Sequence, residues 1–196
     1  MEQQGFTHFD EYGNAIMADI SKKAVTERKA VAAGRITMSQ ECYDAVKGGT
    51  IKKGDVLGTA RLAGIMGAKQ TSGLIPLCHM LSIEQASVDF DFDDDGRSIL
   101  AKCSITVTDK TGAEMEALTG VTIALLTVYD MCKSIDKSMT IGEICLLTKQ
   151  GGKSGEYKRG LDPPTKVCAA NLGHPLRKGD CDTTLCERFN WCRNTV

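Results

Sequence analysis

The residues able to do chemistry fall in a few short stretches. "VYDMCKS" sets Asp130 and Lys133 three residues apart, which makes them neighbours on one face of a helix. A carboxylate beside an ammonium is either a surface ion pair, worth at most about 1 kcal/mol, or an acid/base group tuned by its cation. Spacing alone favours the ion pair. "KTGAEMEALTG" places Glu114 and Glu116 at the start of the same segment. There carboxylates complement the positive end of a helix dipole; two residues apart they do not share a face, so they form no obvious catalytic dyad. "LIPLCHML" sets Cys78 and His79 in an apolar run after Pro76. Proline pushes the preceding Ile75 towards extended backbone, which puts the pair on a loop or strand-like segment. By itself His79 reads first as a satisfied buried histidine. A metal site would want partners at ligand spacing; the chain has three histidines and no second Cys–His pair stands nearby, so no metal is expected in the main domain.

Two basic stretches complete the set. "IKKGDVLGTAR" carries Lys52, Lys53 and Arg61 around a helix start, a candidate anion site. "KQGGKSGEYKR" carries Lys149, Lys153, Lys158 and Arg159. A Walker A motif needs a glycine five residues before Gly152-Lys153, and that position is Leu147. What remains is a glycine-rich segment able to present N–H groups and cations to phosphate, or simply a solvated basic loop.

The elements that must hold these groups are legible in outline. "NAIMADIS" and "VAAGRITM" read as short strands. Ser39 caps a helix "QECYDAVKG" that stops at Gly48-Gly49. Asp55 opens a second helix, "VLGTARLAGIMGAKQT", whose many glycines and alanines point to close packing on a neighbour. "SVDFDFD" and "SILAKCSITVT" alternate on either side of "DDDGR" and predict a hairpin with Val88, Phe90 and Phe92 on the face of Ile99, Ala101, Cys103, Ile105 and Val107. A long helix runs from about Ala113 to Lys133, and "MTIGEICLLTK" is a last strand. The fold class is α+β, an antiparallel sheet packed with helices.

The totals narrow the function. The chain has 196 residues, 42% of them hydrophobic, and a formal net charge of -1, enough for one core and no general case for nucleic acid. No run reaches the roughly 18 apolar residues of a membrane span, and the start "MEQQGFTHFDEYG" resembles neither a signal nor a transit peptide. A cytoplasmic protein is expected. Of nine cysteines, Cys42, Cys78, Cys103, Cys132 and Cys145 sit singly in apolar segments and read as reduced thiols. The composition changes near Gly160, which predicts a domain over 1–159 and a cysteine-rich, flexible tail over 160–196. Cys168, His174, Cys181, Cys186 and Cys192 of that tail match no standard zinc finger.

Together, "KKGDVLGTARLAGIMGAKQTSGLIPLCHML", "TGAEMEALTGV", "TVYDMCKS" and "LLTKQGGKSGEYK", in this order, closely resemble the cyclic pyranopterin monophosphate synthase (MoaC) family of molybdenum cofactor biosynthesis. The resemblance covers about Thr7 to Arg159. It implies a ferredoxin-like subunit in a homohexamer, a trimer of dimers, with the active site at a subunit interface. It implies a lyase that turns a cyclised dihydro-GTP into cyclic pyranopterin monophosphate, releasing pyrophosphate and needing no cofactor. Carried over, Asp130 is the acid/base group, and Lys53 and Lys133 are the catalytic lysines. Leu77, Cys78, His79, Glu114, Met115 and Glu116 line the substrate, and Lys149 and Lys153 contact the triphosphate. The family's proline after "LCH" is Met80 here. A silent nucleotide- or phosphate-binding scaffold on the same fold is the alternative; the presence of Lys53, His79, Asp130 and Lys133 disfavours it.

Overall fold

The computed structural model describes residues 8–10, 12–153 and 155–160. The tail cysteines and His174 lie outside the described residues. Strands β1 (Thr26–Thr37), β2 (Ile83–Asp93), β3 (Ser98–Asp109), β4 (Thr140–Gln150) and β5 (Tyr157–Lys158) form one sheet in the order β2-β3-β1-β4-β5. Every neighbouring pair is antiparallel. Helices α1 (Gln40–Lys47), α2 (Val56–Lys69) and the short α3 (Thr71–Leu74) connect β1 to β2, and α4 (Glu114–Cys132) connects β3 to β4. With β1–β4 this is the β-α-β-β-α-β arrangement of ferredoxin-like folds.

The alternation in sequence sets the two faces of the sheet. Val88, Phe90 and Phe92 stand opposite Cys103, Ala101 and Ile99, and the same register carries Ala32, Gly34 and Ile36 of β1 onto that face. Ile99, Ala101, Cys103, Ile105 and Val107 are fully buried there. The aspartates of "SVDFDFD" therefore fall on the other face. On that side Asp93 Oδ2 accepts from the Arg35 guanidinium at 2.7 Å, and the same guanidinium reaches Ser98 Oγ at 2.7 Å.

Caps stop and start the helices where their chemistry demands. Ser39 Oγ accepts from the Cys42 N–H at the head of α1, and the Asp55 carboxylate accepts from the Gly58 N–H at the head of α2. The small residues of α2 lie against α4: a Cβ added at Gly64 would sit 2.9 Å from the Gly120 carbonyl oxygen, and one at Gly67 would sit 2.7 Å from Ile123. By length and composition α4 is apolar enough to cross a bilayer; here Ala117, Val121, Ala124, Leu125 and Val128 bury its face in the core.

"NAIMADIS" does not form a strand. Among the described residues only an isolated bridge joins Phe9 to Ala15, and Ile16 and Met17 are exposed. Side-chain turns take over the local hydrogen bonding: Asp10 accepts from the N–H groups of Tyr12 and Asn14, and Asp19 from that of Ser21. The basic loop also differs from expectation. It turns back through Gly151 and Gly152, both at positive φ, and adds β5 to the sheet edge. A side chain at either glycine would collide with Glu27 or Arg28.

Candidate functional site

One group of sequence-identified residues gathers at the C-terminal end of α4. The Lys133 ammonium lies 2.6 Å from Asp130 Oδ1. Lys53, two residues before the cap of α2, reaches across to lie 3.6 Å from Asp130 Oδ2 and to donate to the Asp130 backbone carbonyl at 2.7 Å. All three side chains are solvent-accessible, Asp130 at 60%. The Lys133 hydrogen bond, with the charges of Lys133 and Lys53 behind it, holds the Asp130 carboxyl below its usual range. The same bond raises Lys133. Near neutral pH the cluster is thus a carboxylate between two ammonium groups, with one positive charge in excess.

A second group lines a cleft of about 330 Å³ at the opposite end of α4. Leu77, Cys78 and His79 form one wall, and Glu114, Met115 and Glu116 of the first turn of α4 form another. Pro76 acts as expected: α3 stops at Leu74, Ile75 is extended, and the Cys78 N–H closes a turn onto the Ile75 carbonyl at 3.1 Å. His79 follows, half-buried. Met80, the next residue, projects into solvent at 84% exposure. Lys149 Nζ lies 3.0 Å from Glu114 Oε1 at the rim, and Lys153 is exposed on the turn beyond β4.

The two glutamates differ in ways that helix-dipole reasoning does not anticipate. Glu114 is half-buried and paired with Lys149. Glu116 is buried, with 4% of its surface exposed. Burial pushes its carboxyl up from 4.5 to about 7; its own backbone N–H opposes the shift, and the charge of Glu114 adds to it. The unfolded chain releases this proton near 4.5 and the folded chain near 7, so the folded state holds the extra proton in between. The contribution is full below 4.5 and is lost as pH rises towards 7. Glu116→Gln should remove that decline, on the order of 3 kcal/mol from the size of the shift. Melting curves of the two proteins from about pH 4 to 8, a window that brackets both values, measure it, and parallel pH dependences would refute it.

Sequence reasoning passed over the other cleft residues. His8, Ala18, Ile20 and Lys23 of the N-terminal segment, and Thr111 and Gly112 ahead of α4, also line it. A Cβ at Gly112 would collide with the Glu114 carboxylate. The only available signal was Lys23, a cation in a polar stretch, and the strand expected at "NAIMADIS" concealed that this segment crosses the cleft.

The described chain does not bring the two groups together. Asp130 follows Glu116 by fourteen residues along one helix, a separation of roughly 20 Å at about 1.5 Å per residue. The cleft holding His79 and the Asp130 cluster therefore stand at opposite ends of α4, beyond direct contact within one chain.

A model of the MoaC family matches residues 17–152. The chain is 55% identical over 154 residues to the cyclic pyranopterin monophosphate synthase of Pelobacter propionicus, covering 79% of this chain and 96% of that protein. It is 55% identical over 151 residues to the synthase of Clostridium perfringens, covering 77% and 96%. The synthase of Trichlorobacter lovleyi is 53% identical over 154 residues, covering 79% and 96%. By the extent of the family match and by the share of each relative it spans, the chain belongs to the MoaC family.

Proposed function

We propose that this chain is a cyclic pyranopterin monophosphate synthase of molybdenum cofactor biosynthesis, acting on a cyclised dihydro-GTP and releasing pyrophosphate. The observation that carries the proposal is the Asp130 carboxylate held between the Lys53 and Lys133 ammonium groups. Forming a cyclic monophosphate from a triphosphate makes a new bond from a sugar hydroxyl to the α-phosphorus. It breaks the bond from that phosphorus to the bridging oxygen, which leaves with pyrophosphate. The hydroxyl proton needs an acceptor and the leaving group needs cations. Asp130 is the acceptor, and the lysines stabilise the charge that develops. When a lysine turns from Asp130 to phosphate, the carboxylate loses the partner that depresses its basicity, which favours proton uptake at that moment. The His79 cleft, with the Glu116 carboxyl poised near neutrality, holds the pterin-forming end, and Lys149 and Lys153 serve the triphosphate.

The separation along α4 supports a site shared between subunits. One subunit supplies the Asp130 cluster and a second supplies the His79 cleft, within a homohexamer arranged as a trimer of dimers. We place the synthase domain at residues 1–159, because the family match ends at 152 and β5 at Lys158; residues 160–196 are assigned no role. A cytoplasmic location accords with the small, soluble substrate.

Subunit mixing tests the shared site. Asp130→Asn and His79→Ala proteins are each expected to release pyrophosphate from the cyclised dihydro-GTP far more slowly than the parent. Co-assembly of the two should restore release, because some interfaces then pair an intact Asp130 with an intact His79. A co-assembled protein as slow as either variant would overturn the shared arrangement, while activity in the unsubstituted protein alone would leave the synthase reading standing.

A further inference from the structure

We infer that Asp136 is a positioning residue for the Asp130–Lys133–Lys53 cluster; this rests on the reading of that cluster as catalytic. Asp136 lies three residues past Lys133, in the turn between α4 and β4, and is 8% exposed. Its Oδ2 accepts at 2.7 Å from the N–H of Ser39, the residue that caps α1. Its Oδ1 accepts from the Ser138 N–H at 2.7 Å and from the Ser138 hydroxyl at 2.6 Å. One carboxylate thus ties the head of α1, the end of α4 and the approach to β4 together.

The turn itself carries Lys133. The Ile135 and Asp136 N–H groups both donate to the Cys132 carbonyl, at 2.8 and 3.2 Å, and the Lys133 N–H donates to the Tyr129 carbonyl at 2.8 Å. The Tyr129 hydroxyl donates to the Lys137 carbonyl at 3.1 Å from the other side. Cys132 at the end of α4 and Cys42 on α1 are both fully buried in the core. Asp136 is therefore the side chain that anchors the Lys133 turn to a separate helix. In the Asp136→Asn variant the side-chain amide offers one acceptor atom where the carboxylate offers two, so it cannot satisfy the donors of Ser39 and Ser138 together.

Asp136 bonds to the two serines rather than to Asp130 or Lys133, so its effect on the cluster runs through geometry. The groups facing the Lys133 ammonium are Asp130 and Tyr129, with Lys53 on the far side of Asp130. Slackening the turn lengthens the Lys133–Asp130 contact, which lowers the Lys133 pKa and raises that of Asp130.

The test uses the assembled full-length Asp136→Asn protein, compared with Asp136→Glu, with pyrophosphate release and the titration of the Lys133 side chain by lysine 13Cε NMR as readouts. In Asp136→Asn, kcat should fall roughly 10- to 100-fold, the scale set by small misplacements of reacting groups. KM should stay near that of the parent, and the Lys133 resonance should titrate at lower pH. Asp136→Glu, which keeps two acceptor atoms, should recover part of kcat. An unchanged kcat, or a lower melting temperature with the Lys133 titration unmoved, would overturn the inference. If Asp130→Asn proved fully active, the reading of the cluster would fail as well; if only the Asp136 variants behaved like the parent, the positioning role alone would fall.

Discussion

Pyrophosphate release by the Asp130→Asn protein should fall about 100- to 10,000-fold, the range typical of removing a general acid/base group, while folding and assembly persist. The fold should tolerate the change because the Asp130 side chain is 60% exposed and its ion-pair partners are the exposed lysines rather than the core. Those contacts are Lys133 at 2.6 Å and Lys53 at 3.6 Å. Exposed pairs of this kind contribute little to stability, so two lysines converging on one carboxylate have no strong structural reason to do so. Asparagine keeps the size and a hydrogen-bond acceptor and loses both the charge and the proton affinity. The Lys53 donation to the Asp130 backbone carbonyl at 2.7 Å is untouched by the substitution, which keeps the lysine near its place. Steady-state assays of pyrophosphate release, with circular dichroism and sedimentation as controls, measure the effect. A correctly assembled Asp130→Asn protein that turns over at the parental rate would remove Asp130 from the chemistry.

The scaffold was legible wherever one periodicity or one cap governs a segment. The β2–β3 hairpin follows from strict alternation around "DDDGR", and α1 and α2 begin where Ser39 and Asp55 offer side-chain acceptors. The small residues of α2 announced close packing, with α4 as the partner. Pro76, expected to end any helix before the Cys78–His79 pair, follows the end of α3 at Leu74, and His79 lies on a loop, one of the two placements the sequence left open. "NAIMADIS" misled because a short apolar run reads as a strand, whereas Asp10 and Asp19 satisfy the local N–H groups in turns and Ile16 and Met17 stay exposed.

The site was less legible, because its parts come from distant segments. Spacing correctly put Asp130 beside Lys133, yet nothing in it draws Lys53 across 77 residues to the same carboxylate. For Glu116 the first turn of α4 was right and the environment was not: dipole complementarity predicts an ionised surface group, and burial instead raises the carboxyl to about 7. The roles came from the family resemblance. What the fold adds is that α4 holds the His79 cleft and the Asp130 cluster at its two ends, which a linear reading of "TGAEMEALTG" and "VYDMCKS" gives no reason to notice.

Gly64→Val should destabilise the protein by about 3 kcal/mol or more, the upper part of the range for overpacked cores, and lower its melting temperature by roughly 10 °C at this size. A Cβ at Gly64 would stand 2.9 Å from the Gly120 carbonyl oxygen, 3.0 Å from Val88 Cγ2 and 3.1 Å from Ala124 Cβ. The first of these is backbone and the others are buried side chains, so no flexible end can swing aside. The opposing surface is as tight: a Cβ at Gly120 would lie 2.5 Å from Cys103 Sγ. Replacing a helical glycine ordinarily gains helix propensity, up to about 1 kcal/mol for alanine, but valine gives back part of this through its stiff χ1, and the steric term exceeds the rest. Gly73→Ala is the control: in α3, the nearest neighbour to an added Cβ is 3.9 Å away, and the change should stay within about 0.5 kcal/mol of the parent. Activity should follow stability in Gly64→Val, because α2 sets Lys53 and α4 sets Asp130, and forcing the helices apart lengthens the contact between them. Thermal melts read the first effect and pyrophosphate release below the melting range reads the second. A Gly64→Val protein that melts with the parent would show that α2 and α4 have room the close approach of Gly64 and Gly120 denies.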